Sequence, residues 1–294
     1  GVLEGDLYLV GRGDPLLLGR HAEQPVSPFD HLAESLAAAG VKEIGGRLIG
    51  WEGQFSGERR AADWAWSDLM WYYGADVSAL TFHNAAAHLR ITPGAHVGDA
   101  VLVVGQPETG YYRIVPTATT SPPETPPALD IERPLGTNVI HVRGTYPAAA
   151  SPEDAFVSLD DPARYATTVL AEPLEGRGIR VAGGVATSST PLPADLRTLA
   201  SVTSPPLREI VRQINQPSHN LRAEILLRLL GLKACGEGSA RAGLDAALDF
   251  LTRQGVPTEG LDLRDGCGLA PTNLVTARAL ASLLAAMRRH VSAQ

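Results

Sequence analysis

Along this chain the apolar positions change their period from one region to the next, and that change divides it. Asp6 to Val10 is a short apolar run ending in a Gly-Asp-Pro turn, which predicts a strand. Helical spacing follows from Phe29 to Ala39, where Gly40 supplies a C-terminal stop. The stretch EIGGRLIGWEG reads as a further strand. From Thr81 to Ile114 short alternating runs separated by turns, including LRITPGAHVGDAVLVV, predict β-structure. Between Val115 and Gly136 six prolines break the pattern, which predicts an exposed loop over a small β module. TNVIHVRGTYP then returns as a strand.

Past residue 160 helical spacing takes over. The segment DPARYATTVLAEPLEGRGIRVAGG predicts a helix from Pro162 to about Ala171, a glycine-rich turn and a strand. PLREIVRQINQ predicts another helix. Gln216 to Gly231 reads as an amphipathic helix whose apolar stripe is Leu221, Ile225 and Leu229. Helices over Ser239–Gln254 and Val275–His290 flank the loop LDLRDGCGLAPTN. The fold class is therefore α+β: a β-rich middle enclosed by an N-terminal strand and a helical C-terminal third. A middle inserted into a domain built from both ends gives this arrangement, because domain termini tend to lie close together. The aromatic stretch Asp63–Leu80 carries Trp64, Trp66 and Trp71, for which core packing is the expectation and a ligand-stacking platform the alternative.

Composition narrows the function. With 44% hydrophobic and 19% charged residues and a net charge of −7, the chain is a folded protein without the basic surface that nucleic acid requires. No apolar run reaches the ~18 residues of a membrane span. No basic-then-apolar leader opens the sequence, so an exported protein would already have lost it. Cys235 and Cys267 form no CxxC pair, and no HExxH occurs, so neither metal nor other cofactor is expected. There is no G-x-S-x-G elbow, P-loop or GxGxxG.

What remains is Ser218-His219-Asn220. Taken alone, Ser218 reads as an N-cap that satisfies a free amide of the following helix. Four blocks in order say more: GDLYLVGRGDPLL, WAWSDLMWYYGADVSAL…PGAHVGD, SPPLREIVRQINQPSHNLRAEILLRLLG and LDLRDGCGLAPTNLVTARALASLL. Together they resemble the D-Ala-D-Ala carboxypeptidase/endopeptidase family, the low-molecular-mass class C penicillin-binding proteins. The resemblance implies a β-lactamase-like serine peptidase domain interrupted by β-rich inserted domains. Residues 1–26 and 195–294 would belong to the peptidase domain, 27–92 and 146–194 to an inserted α/β domain, and 93–145 to a small β-rich module. Ser218 would relay a proton to the leaving amine and Asn220 would hydrogen-bond the substrate or a lysine. His219 would have no catalytic part. Asp265, Gly266 and Gly268 would form a substrate-binding turn. Peptidoglycan peptides and β-lactams are the implied ligands, and a periplasmic or extracellular setting the implied compartment.

The same family needs Ser-x-x-Lys for acylation and Lys-Thr-Gly for the substrate carboxylate. This chain has two lysines. Ala39 stands three before Lys42, Leu230 three before Lys233, and neither lysine precedes Thr-Gly. In the family these motifs lie before and after the matched region, so the resemblance implies a fragment that is inactive alone. The alternative is a non-catalytic module that holds peptidoglycan or a partner through the proline-rich loop and the tryptophans. Cys267 stands in DGCGL, where the family more often has serine. A buried small residue, a disulfide to Cys235 and a reactive thiol all remain open for it.

Overall fold

The computed structural model describes residues 1–17 and 27–289. Strands β1 (Val2–Leu3) and β2 (Leu7–Val10) precede helix α1 (Pro28–Ala38), then β3 (Glu43–Ile44) and β4 (Leu48–Trp51). Single helical turns lead to β5 (Ala86–Thr92), β6 (Leu102–Gln106), β7 (Arg113–Pro116) and β8 (Thr119–Ser121). β9 (Ala128–Glu132), β10 (Val139–Pro147) and β11 (Glu153–Ser158) complete the middle. Helix α2 (Pro162–Gly176), β12 (Arg180–Val181) and β13 (Val185–Ser188) follow. The chain closes with α3 (Leu207–Asn215), α4 (Asn220–Cys235), α5 (Ala240–Arg253) and α6 (Ala277–Arg289). The fold is α+β. The expected end of the last helix at His290 lies outside the described residues.

Three extended paths make a parallel sheet, each interrupted by glycine. β1, β3 and β12 pair in parallel at one end, and β2, β4 and β13 at the other. Where the paths change ladder, Gly46 N–H donates to the Gly5 carbonyl and Gly183 N–H to the Gly46 carbonyl, both at 2.8 Å. A Cβ on Gly46 would sit 2.4 Å from the Gly5 carbonyl carbon, so only glycine lets these backbones meet. Residues 2–3 and 7–10 thus pair with 43–44 and 48–51.

Helices α1 and α2 cover this sheet. Ser27 caps α1 by accepting from Phe29 N–H at 3.3 Å, Pro28 takes the first turn, and Gly40 (φ 80°) ends it. Asp161 caps α2 at Arg164 N–H. Sequence predicted an end near Ala171, ahead of Pro173, but α2 continues to Gly176. Burial of Leu170 and Leu174 holds the extra turn against the core, which offsets the backbone bond that proline removes.

The proline-rich segment is not a loop. It contains the end of β7, all of β8 and all of β9, paired in turn to the long strand β10: β7 and β8 in parallel, β9 antiparallel. Pro122, Pro123, Pro126, Pro127 and Pro134 fall between strands, where no ladder bond is lost. β5 pairs antiparallel with β6 and β11. Ile140, Val142 and Tyr146 of β10 share one buried cluster with Leu48, Leu89 and Tyr165, so this β module and the parallel sheet are welded by a common core.

In the helical third, α4 lies against α5 at a contact between backbones. A Cβ on Gly243 would fall 2.1 Å from the Leu227 carbonyl oxygen, and one on Gly231 2.6 Å from the Gly243 nitrogen. Among the described residues no helix is long and apolar enough to cross a membrane. Gly243→Ala should therefore lower unfolding free energy by about 1–3 kcal/mol through overpacking. Gly176→Ala, whose Cβ meets nothing within 4 Å, should be neutral or stabilising by up to about 1 kcal/mol. Urea unfolding of the two variants checks both signs.

Candidate functional site

The residues singled out in the sequence gather on α4. Its approach departs from expectation: Ser218 is not an N-cap. Ser218 adopts a left-handed conformation (φ 57°), and the following N–H, of His219, donates back to the Ile214 carbonyl at 2.9 Å. That bond closes the end of the helical path begun by α3, the arrangement that usually takes glycine. α4 then starts at Asn220, with His219 as an N-cap that makes no side-chain capping bond. The cost of placing a serine here is about 1–2 kcal/mol. It leaves Ser218 exposed at a fixed corner.

Asn220 is half-buried and donates Nδ2–H to the Tyr73 carbonyl at 3.2 Å. His219 is buried between them in sequence, its ring edge-on to Tyr72 at 5.7 Å and its Nδ1 without a hydrogen-bond partner. Burial, reinforced by the neighbouring Arg222, pushes the imidazole down to about 3. Arg222 reaches back to Asn84 Oδ1 through Nε (3.2 Å) and Nη2 (3.0 Å). Asn84 is the middle of three successive left-handed residues, His83, Asn84 and Ala85 (φ 48°, 57° and 51°).

The turn with Asp265, Gly266 and Gly268 packs one to two helical turns further along α4. Asp265 is buried and accepts four hydrogen bonds: Trp64 Nε1–H (2.9 Å), Gly268 N–H (2.7 Å), Ala270 N–H (2.6 Å) and Asn273 Nδ2–H (2.9 Å). Burial works to raise its carboxyl, but these donors hold it below the ordinary carboxylate range. Its oxygens are thus engaged in shaping the turn. Gly266 N–H donates to Glu224 Oε1. Glu224 in turn pairs with Arg228 Nη1 at 3.0 Å, both side chains being 2% exposed. Burial raises the Glu224 carboxyl against the attraction of Arg228.

Asn220 opens α4, Ser218 lies two residues before it, and the 265–268 turn packs against the same helix at Glu224, while segment 63–77 holds Asn220 through the Tyr73 carbonyl and Asp265 through Trp64. Glu224 and Arg228 were not singled out in the sequence. Their signal was present: two charges on the helix face that carries Ile225. Trp64 is core, packed with Leu221, Ile225 and Ala270, whereas Trp66 is 77% exposed. The ligand atoms of Glu224, Asp265 and Cys267 lie within 4.8 Å of one another. Arg228, Trp64 and backbone amides already occupy the two carboxylates, which makes this a hydrogen-bonded cluster and not a vacant cation site.

Residues 1–294 match the D-Ala-D-Ala carboxypeptidase 3 (S13) family along their whole length. This chain belongs to that family. A D-alanyl-D-alanine carboxypeptidase of Actinomadura sp. (strain R39) is 37% identical over 286 residues, covering 95% of this chain and 52% of the relative. The D-alanyl-D-alanine carboxypeptidase DacB of Haemophilus influenzae is 24% identical over 97% of this chain and 58% of its own length. The crystal structure of penicillin-binding protein 4 from Haemophilus influenzae shares the fold, with a TM-score of 0.81 over 98% of this chain and 62% of that one, at 23% identity. The chain thus spans little more than half the length of these relatives.

For this S13 chain both cysteines are free thiols, Cys235 exposed and Cys267 half-buried. Cys267 sits beside Glu224, whereas Cys235 lies eleven residues further along the same helix, a rise of about 16 Å from Glu224. Burial, then the Glu224 charge, pushes the Cys267 thiol far above its usual range, so it is a poor nucleophile. A thiol reagent should label one cysteine quickly in the native protein and two in denaturant; zero in denaturant would reveal a bridge.

His219 supplies a pH prediction. An unfolded imidazole takes its proton near 6.5, while the folded ring stays neutral to about 3. The unfolded state therefore gains protons first, and stability present above pH 6.5 is lost as the pH falls towards 3. Between pH 6.5 and 5 this contributes about 2 kcal/mol. His219→Gln should flatten the unfolding free energy over that window, as measured by urea titration; an unchanged slope would mean the ring is already charged or solvated.

Proposed function

We propose that this chain is part of a D-alanyl-D-alanine carboxypeptidase/endopeptidase that trims peptidoglycan by a serine acyl-enzyme route. The observation that carries the reading is the corner at Ser218: an exposed hydroxyl on a strained left-handed residue, one position from the buried His219 and two from the tethered Asn220. Strain of this kind persists where the surroundings over-determine it, and it clusters at functional sites. The names of the relatives point to the same chemistry, and the Haemophilus influenzae penicillin-binding protein 4 has been solved with a β-lactam bound.

In the proposed reaction a serine hydroxyl, from a Ser-x-x-Lys motif that these residues do not contain, attacks the carbonyl between the two D-alanines. The C–N bond breaks, the departing amine of the terminal D-alanine takes a proton through Ser218, and water then hydrolyses the acyl-enzyme. Asn220, whose other amide atoms are free once Tyr73 holds one N–H, hydrogen-bonds the peptide. The 265–268 turn contributes indirectly, since Asp265 spends its oxygens on its own loop and on Trp64, and Gly266 donates its N–H to Glu224. Residues 195–294 would belong to the peptidase domain and the β-rich middle to the insertion. β1 and β2 hydrogen-bond to the α/β part of that insertion. Peptidoglycan peptides and β-lactams are the ligands on this reading, and a cell-wall compartment, periplasmic or extracellular, is the setting.

Incubated with a fluorescent penicillin, the 294 residues alone should keep their mass of 31.0 kDa, because neither the nucleophile nor the lysine motif is among them. A chimera that carries them in place of the matching half of the Actinomadura enzyme should be acylated. Ser218→Ala and Asn220→Ala should each slow that acylation by about 10²–10⁴-fold. An adduct on the 294 residues, or a chimera indifferent to both substitutions, would sink the proposal.

A further inference from the structure

The outer face of the β11-β5-β6 sheet carries a line of rings that begins at the proposed site. Its geometry is set by register. Phe156 on β11 stands directly opposite His88 on β5, and their rings stack with centroids 4.5 Å apart and planes 11° from parallel. Alternation puts Ala155, Val157, Leu89 and Ile91 into the core, which turns Phe156 (40% exposed) and His88 outward. From Phe156 the line continues to Tyr72, edge-on at 5.7 Å, and from Tyr72 to His219, again edge-on at 5.7 Å. His219 lies between Ser218 and Asn220. Two register positions beyond the stacked pair, on the same face, Asp154 stands opposite Arg90; it accepts from Arg90 Nη1 at 2.6 Å and lies 2.7 Å from His88 Nε2.

We propose that this ring line and its Asp154–Arg90 edge form a binding platform for the glycan strand of peptidoglycan. The assignment rests on the reading of Ser218–Asn220 as the reactive corner, and three features favour a glycan as occupant. The ring contacts run from Phe156 through Tyr72 to the buried His219, the residue between Ser218 and Asn220. Phe156 is exposed and His88 and Tyr72 are half-buried, so ring surface not taken up by their mutual contacts is open to the C–H bonds of sugar rings, while an accessible carboxylate and guanidinium at their margin suit hydroxyl and amide groups. The span also fits: four residues of extended stem peptide reach about 14 Å, comparable with three centroid steps of 4.5, 5.7 and 5.7 Å. A scissile bond at Ser218 thus leaves the sugars near Phe156 and His88.

The test is direct binding of peptide-free glycan chains, prepared by amidase digestion of peptidoglycan, to the 294-residue protein. The chain should bind them, Phe156→Ala and His88→Ala should each weaken the dissociation constant about 5- to 30-fold, and Phe156→Tyr should restore it. Because Phe156 is partly exposed, thermal unfolding of Phe156→Ala should shift by only a few degrees, which separates lost contact from lost fold. In the acylating chimera, Phe156→Ala should leave reaction with penicillin, which has no glycan, within about twofold. No binding of glycan, equal binding by Phe156→Ala, or Phe156-dependent binding of free stem peptides alone would each overturn the platform. Phe156-dependent glycan binding by a chimera that cannot be acylated would leave the platform standing and remove the enzymatic reading instead.

Discussion

A buried ion pair on one helix, Glu224 with Arg228, holds the candidate site together. Taking two charges out of water costs several kcal/mol each, and their attraction alone does not repay it. Here the remaining valences are filled by backbone from other parts of the chain. Arg228 Nη2 donates to the Glu58 carbonyl at 2.8 Å, and Glu224 accepts from Gly266 N–H. Three segments far apart in sequence, around residues 58, 224–228 and 266, therefore share one electrostatic knot. Loss of either partner strands the other charge in a dry environment, a penalty of about 3–5 kcal/mol. The 265–270 turn depends on this knot, and through Trp64 the aromatic stretch depends on the turn.

Two strained places lie close to this helix. Three successive left-handed residues at 83–85 cost about 1–2 kcal/mol each, and Ser218 adds a similar amount. Each is held by something fixed elsewhere. Arg222 grips Asn84, and Arg222 is positioned by α4, whose own place is set by Glu224, Arg228 and the close glycine contact with α5. Ser218 is held from the other side, by the bond from His219 N–H to Ile214 and by burial of His219 beside Tyr72.

Sequence made some of this legible and hid the rest for definable reasons. Helices α1, α5 and α6 follow from local signals: Ser27 and Ser239 cap, Gly40 stops, and apolar spacing does the rest. The proline-rich segment was misread because prolines were weighed by number instead of position; ALDIE retains its strand alternation between them. The full length of α2 was hidden because the burial that tolerates Pro173 is a tertiary effect. The Ser218–Asn220 motif was visible as a motif, but its geometry was not. Local rules favour a serine cap, and only the Ile214–His219 bond selects the left-handed alternative. Glu224 and Arg228 could have been found by asking why an otherwise apolar helix face carries two charges.

The outcome at Ser218 bears on chemistry. An N-cap hydroxyl accepts from an amide two or three residues on and is committed to holding the helix. A serine one step earlier, in the left-handed corner that ends the preceding helix, carries no such duty. Its hydroxyl keeps both its donor and its acceptor capacity, which is what the proposed relay role asks of it. The helix gives up a side-chain cap in exchange, since His219 caps nothing. That loss, of order 1 kcal/mol, adds to the cost of the strained backbone. Ser218 is thus exposed ahead of α4, while His219 is buried and Asn220 is tethered to Tyr73.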